Sequence, residues 1–141
     1  MEGDNIIIKI GDKTRFTHTV HFCAQEYGSK IEVGEDCGFS NRIIVRTSDS
    51  HEIIDIHTGE RINPAKPVLI GSHVWICPGT TIMKGTVIGD YAIIGSNSLV
   101  TKEVPPYCLA AGMPAKVLRT GVMRTKKEVV FCNNNDKDKW Y

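Results

Sequence analysis

The sequence contains no CxxC pair. Its five cysteines, Cys23, Cys37, Cys77, Cys108 and Cys132, are scattered and odd in number, which suits neither a zinc knuckle nor a closed disulfide framework. Reduced thiols in a cytosol are expected instead. Charge of one sign is missing too: 17 Lys and Arg stand against 16 Asp and Glu, a formal net charge of +1. No global field therefore recruits nucleic acid or an anionic membrane. Long apolar runs are also lacking, and the stretch from Ile6 to Ile8 is far too short for a signal peptide or a membrane span. These absences predict a soluble, cytoplasmic protein with no nucleic-acid partner and no membrane span. At 141 residues there is room for one domain with a real core and not for two ordinary ones. No GxGxxG or P-loop pattern marks a nucleotide site.

What is present is a period of six. Aliphatic residues recur at Ile70, Ile76, Ile82, Ile88, Ile94 and Val100, and nothing helical repeats at that interval. With Ile, Val and Leu making up roughly a quarter of the chain, six hits in one preset frame have a chance probability on the order of 10⁻⁴. Four positions after each aliphatic come Val74, Thr80, Thr86, Ala92, Ser98 and Val104, and the position directly after it holds Gly71, Gly89 and Gly95. A short strand with one large and one small inward side chain, then a tight bend that favours glycine, describes one face of a narrow prism. Three such hexads make one coil.

The same rhythm runs earlier through Val33, Phe39 and Val45, with Cys37 and Ile43 at the small inward positions. The next step of six lands on His51, after which the frame is lost until Ile70, one residue out of phase. Residues 52–66, "EIIDIHTGERINPAK", are thus expected to form a loop pushed out of the wall, with His51 where wall becomes loop. Residues 6–31 are expected to form an imperfect first coil or two, with "EYGSK" as a turn. The proline pair after Val104 ends the hexads. The expected organisation is a β-helix domain over 1–119 and a polar extension over 120–141, either a short helix or a frayed tail.

The stretch "IGSHVWICPGTTIMKGTVIGDYAIIGSNSLVTKEVPPYCLAAGMPAKVL", residues 70–118, with "TSDSHEI" upstream, resembles the hexapeptide-repeat, left-handed β-helix acyltransferases. Within them it is most similar to the maltose, galactoside and capsular polysaccharide O-acetyltransferases. The order of "VWIC", "VIGDYAIIG", "VTKEVP" and "GMPAK" carries the likeness over roughly residues 31–119. It implies an all-β, left-handed parallel β-helix, a homotrimer with active sites between subunits, acetyl-CoA as co-substrate with no permanently bound cofactor, and a sugar or saccharide acceptor. Two departures stand out: Cys77 where the family has the Gly of VWIG, and Met113 where it has the Asn of GNPAK. The N-terminal helical segment of many sugar acetyltransferases is not expected before the coils.

The resemblance places the catalytic base at His51. A hydroxyl is a poor nucleophile near neutral pH, and histidine is the side chain best matched to taking its proton. Asp49 or Glu52 is expected to fix the His51 tautomer; alternation along an extended wall favours Asp49, while Glu52 needs the bend to turn it back. His73 is expected to line the same cleft or to help hold the oxyanion, or else to be a polar rim residue. Trp75 is expected to pack on pantetheine or acceptor, with a trimer interface as the competing account. Backbone groups at Gly95, Ser96, Ala111 and Gly112 are assigned to the pantetheine amides, and Lys102, Lys116 and Arg119 to the phosphates of coenzyme A. Cys77, after an inward Ile, is expected to be a small buried residue and not a nucleophile. An N-acyltransferase acting on an amino-sugar nucleotide, a non-catalytic scaffold, and a zinc enzyme of the γ-carbonic-anhydrase type using His51, His57 and His73 remain alternatives. The HxxxxH pair of that zinc class is missing, and no metal is expected.

Overall fold

The computed structural model describes residues 5–127, and among these there is no helix. The chain winds through four coils of three short strands. The first contains β1 (Ile7–Ile10), β2 (Arg15–Phe16) and β3 (Val20–Cys23), and the second β4 (Lys30–Val33), β5 (Gly38–Phe39) and β6 (Ile43–Arg46). The third contains β7 (Val68–Ile70), β8 (Trp75–Ile76) and β9 (Thr81–Ile82), and the fourth β10 (Val87–Ile88), β11 (Ile93–Ile94) and β12 (Leu99–Val100). A closing hairpin follows, β13 (Cys108–Gly112) with β14 (Ala115–Thr120) antiparallel to it.

Strands one coil apart pair in parallel, giving three faces of a prism. The first face is β1-β4-β7-β10, the second β2-β5-β8-β11-β13-β14, and the third β3-β6-β9-β12. The register places each hexad residue on its counterpart: Val33 on Ile70, Phe39 on Ile76, Val45 on Ile82, then Ile70 on Ile88, Ile76 on Ile94 and Ile82 on Val100. All of these side chains are buried, as are Cys37, Ile43, Val74, Thr80, Thr86, Ala92, Ser98 and Val104 at the small positions. Burying one such aliphatic side chain contributes about 1.5–3 kcal/mol, so repeated ladders build a core without any helix. The inward hydroxyls are satisfied locally: Thr80 Oγ1 donates to the Cys77 carbonyl at 2.9 Å and Ser98 Oγ to the Gly95 carbonyl at 2.7 Å.

One sequence expectation is corrected here and another is narrowed. The residue that turns the corner is not the glycine after the aliphatic but the residue two further on. His73, Tyr91 and Asn97 hold φ of 60°, 62° and 54° there, in a conformation that costs an ordinary side chain and that Gly79 and Gly85 occupy in the other coils. The glycine after the aliphatic serves close approach between coils: a Cβ on Gly71 would stand 2.3 Å from Asp90 Oδ1 and 2.8 Å from the Asp90 backbone nitrogen. Residues 6–31 also form a single coil and the turn into the next. Its Ile8, Ile10 and Phe16 stand in register with buried Ile31, Val33 and Phe39 but are 46%, 41% and 43% exposed at that end of the prism.

Residues 121–127 continue past β14 as neither helix nor strand. They lie along the second face, with the Arg124 guanidinium 5.7 Å from the centroid of the Trp75 ring and Lys126 Nζ 2.7 Å from Asp36 Oδ2. The rest of the expected C-terminal extension, with Cys132, lies outside the described residues.

Candidate active site

The third corner of the prism, where the third face hands over to the first, carries the segment that contains His51. Between β6 and β7 the chain leaves the wall and returns, with the Lys66 amide donating to the Thr47 carbonyl at 3.0 Å across the base. Thr47 and Ser48 are still buried, whereas His51 and Glu52 are exposed. An antiparallel bridge between Ile54 and Arg61 folds the loop back on itself.

The loop is held by polar contacts from the coils on both sides. From the coil before it, Glu26 receives two hydrogen bonds from Arg61, Nη1 to Oε2 at 2.8 Å and Nη2 to Oε1 at 2.7 Å, and a third from the Ser48 hydroxyl. These donors, Arg61 foremost, hold the Glu26 carboxyl down at about 2. From the coil after it, Lys84 Nζ reaches Asp49 Oδ2 at 2.5 Å and the Asn63 carbonyl at 3.0 Å. At the centre is Asn63, only 7% exposed. Its Oδ1 accepts from the Ile53 amide at 2.8 Å and from Arg61 Nε at 3.3 Å, while its Nδ2 donates to Asp49 Oδ2 at 3.0 Å and to the His51 carbonyl at 2.8 Å.

Asp49 is therefore engaged by Lys84 and Asn63, which together hold its carboxyl below the usual aspartate range. Both bonds fall on Oδ2, and no hydrogen bond joins Asp49 to the His51 ring. Asn63, Lys84, Arg61 and Glu26 did not stand out in the sequence, because their pairings span 35 residues in both the Glu26–Arg61 and the Asp49–Lys84 case. No local motif records such a distance.

His73 is not beside His51 in the same chain. It sits at the first corner, between β7 and β8, with Nδ1 3.2 Å from Asp36 Oδ2. Its ring stacks on Tyr91 at 4.5 Å between centroids, and Tyr91 stacks on Tyr107 at 4.8 Å. Lys126 first, and His73 second, hold Asp36 below its ordinary range. Trp75 lies next along the second face. The Arg124 guanidinium of its own chain lies over its ring.

Gly95, Ser96, Ala111 and Gly112 do come together, at the second corner under the closing hairpin. A Cβ on Gly95 would stand 2.7 Å from the Ala111 Cβ, and Lys116 pairs with Ala111 across the hairpin. The Gly95 amide already donates to the Ala110 carbonyl at 2.8 Å and the Gly112 amide to Ser98 Oγ at 3.1 Å, so neither is free for a pantetheine carbonyl. The three expected phosphate cations do not form one cluster. Lys116 and Arg119 are on β14, at the edge of the second face, while Lys102 follows β12 at the third corner, in line with Lys84. Cys77 is buried, and burial pushes its thiol up. Met113 is 73% exposed, between the two strands of the closing hairpin. Among the described residues, no three His, Cys, Asp or Glu side chains group as a metal site, and no helix is long and apolar enough to cross a membrane.

A three-faced prism of parallel hexapeptide coils, with one extruded loop holding an exposed histidine, defines a left-handed β-helix of the acyltransferase type. The chain belongs to the hexapeptide-repeat transferases: residues 67–102 match the family described as bacterial transferase hexapeptide (six repeats). It is 40% identical over 107 residues to the polysialic acid O-acetyltransferase of Escherichia coli O1:K1 / APEC, covering 76% of this chain and 35% of that one. It is 41% identical over 75 residues to the galactoside O-acetyltransferase of Escherichia coli K12, covering 53% and 30%. The crystal structure of the polysialic-acid-specific acetyltransferase NeuO superposes with a TM-score of 0.73 at 34% identity, covering 94% of this chain and 60% of that one. The chain thus spans about a third of the length of these two curated relatives.

Proposed function

We propose that this chain transfers an acetyl group from acetyl-CoA to a hydroxyl of a sugar or polysaccharide, with His51 as general base. The observation that carries the reading is the placement of His51: exposed, at the foot of a loop whose backbone is pinned by Asn63, Lys84 and the Glu26–Arg61 pair. An exposed base on fixed backbone is what proton transfer in a defined geometry requires. Similarity to O-acetyltransferases of polysialic acid and galactosides supports the acceptor class.

In this scheme the His51 imidazole takes the acceptor hydroxyl proton as the oxygen attacks the thioester carbonyl. The tetrahedral intermediate collapses with cleavage of the carbon–sulfur bond, and the imidazolium returns the proton to the departing thiolate. Since His51 occupies the third corner and His73 and Trp75 lie at or beside the first, we place the complete site between copies of the chain in a homotrimer. There one protomer's His51 faces the first corner of its neighbour. Lys116 and Arg119 are assigned to the phosphates of coenzyme A, with Lys102 supplied from the other corner.

The test is thiol release from acetyl-CoA with a panel of sugars and amino sugars. His51→Ala is expected to lower acceptor-dependent release about 10²- to 10⁴-fold while coenzyme A still binds. Undiminished release would move the base elsewhere, and preference for an amine over every hydroxyl would make the reaction an N-acylation.

A further inference from the structure

We infer that Asn63 is the positioning residue of the site, setting His51 in place through its carbonyl, and that Asp49 serves this clasp instead of orienting the imidazole. The inference rests on His51 being the base.

The Asn63 side-chain amide has two acceptor sites on its oxygen and two donor hydrogens on its nitrogen, and all four are used. Oδ1 receives the Ile53 amide and Arg61 Nε, and Nδ2 reaches the His51 carbonyl and Asp49 Oδ2. These partners lie on both sides of the loop's exit, so one buried group ties residues 49, 51 and 53 to residues 61 and 63. Nothing but an amide satisfies this set. A carboxylate at 63 would lose both donors and stand against Asp49, and an aliphatic side chain would leave the His51 carbonyl and the Asp49 carboxylate without their donor. Lys84 completes the clasp by bridging Asp49 Oδ2 and the Asn63 carbonyl. Both the cation and the amide fall on Asp49 Oδ2, so its charge is shared between Lys84 and Asn63. Its charge holds the clasp together.

A residue that acts only through His51 has a distinctive kinetic signature. Misplacing a reacting group by about 1 Å can cost on the order of 10²-fold, so Asn63→Ala is expected to lower kcat by roughly that factor. KM for acetyl-CoA should stay within about threefold, and the acid limb of the pH profile should not move, because the substitution adds and removes no charge. In a His51→Ala background the same substitution is expected to cost less than about twofold, since residues that work as a unit are not additive. Equal losses in both backgrounds would reduce Asn63 to a folding residue, and an unchanged kcat in the single variant would remove it from the site altogether. His51→Ala at full activity would instead defeat the base assignment itself.

If the His51→Ala rate lies below detection, Asp49→Asn decides. It leaves the acid limb in place if Asp49 belongs to the clasp, and lowers its apparent pKa if Asp49 faces the imidazole. If Asn63→Ala fails to fold, Lys84→Met removes one arm of the clasp from the surface. Its expected effect is roughly a tenfold fall in kcat at constant KM; no fall would overturn the proposal.

Discussion

At the scale of single residues, a Cβ on Gly89 would stand 2.4 Å from the Pro106 nitrogen and 2.8 Å from its Cα. The obstacle is backbone of the segment leading into the closing hairpin, which cannot rotate out of the way as a side chain can. Gly89→Ala should therefore force coil and segment apart and cost about 1–3 kcal/mol, seen as a melting temperature several degrees lower. The glycines at these positions were visible in the sequence, but their reason was not. A period of six marks where the chain bends, while the proximity of Gly71 to Asp90 or of Gly89 to Pro106 depends on how tightly coils stack at that corner. Asn63 was illegible for a related reason. A polar residue in a polar loop looks solvated until the strands on either side bring Asp49 and Lys84 to it.

At the scale of elements, the loop between β6 and β7 depends on an ion pair with the preceding coil. The Glu26 carboxyl lies at about 2 in the folded chain against an ordinary 4.5. A folded-state value below the unfolded one means that the pair contributes stability above about pH 4.5, and that this contribution is lost as pH falls toward 2. Acid titration of the melting temperature should show a decline in that window, shallower in Glu26→Gln, whose melting temperature at neutral pH should already be lower. Wild type and variant declining in parallel would mean that other carboxylates dominate the window. The hexad elements themselves were readable from Ile70 onward because every inward position there is aliphatic or small. The first coil was less so: Ile10, Phe16 and Phe22 keep the step of six and stand in register with Val33, Phe39 and Val45, but the run is short and the turn after β3 breaks the frame before Val33. The closing hairpin, antiparallel and outside the repeat, left no periodic trace.

At the scale of the whole molecule, the residues assigned to one reaction are distributed over three corners of the prism, and no single chain gathers them. The homotrimer proposed above would bring them together between copies of the chain. Light scattering of the purified protein is expected to give about three times the 15.6 kDa of one chain. Mixing His51→Ala chains with chains altered at Trp75 should then restore part of the activity, because some sites in mixed assemblies receive both intact partners. A monomeric mass with full activity would place the site within one chain and require another account of His73 and Trp75.

The hydrogen bond from the Lys66 amide to the Thr47 carbonyl has a consequence for how such a protein can diversify. It closes the neck of the loop within the wall's own corner, so the coils before and after meet in register however long the excursion between them. Because closure entropy grows only with the logarithm of length, the intervening residues can be lengthened, shortened or exchanged at little cost to the prism. The prism and the excursion between its coils are thereby separable. A different excursion can be grafted between Ile53 and Arg61, provided Asp49, His51, Arg61 and the amide of Asn63 are kept.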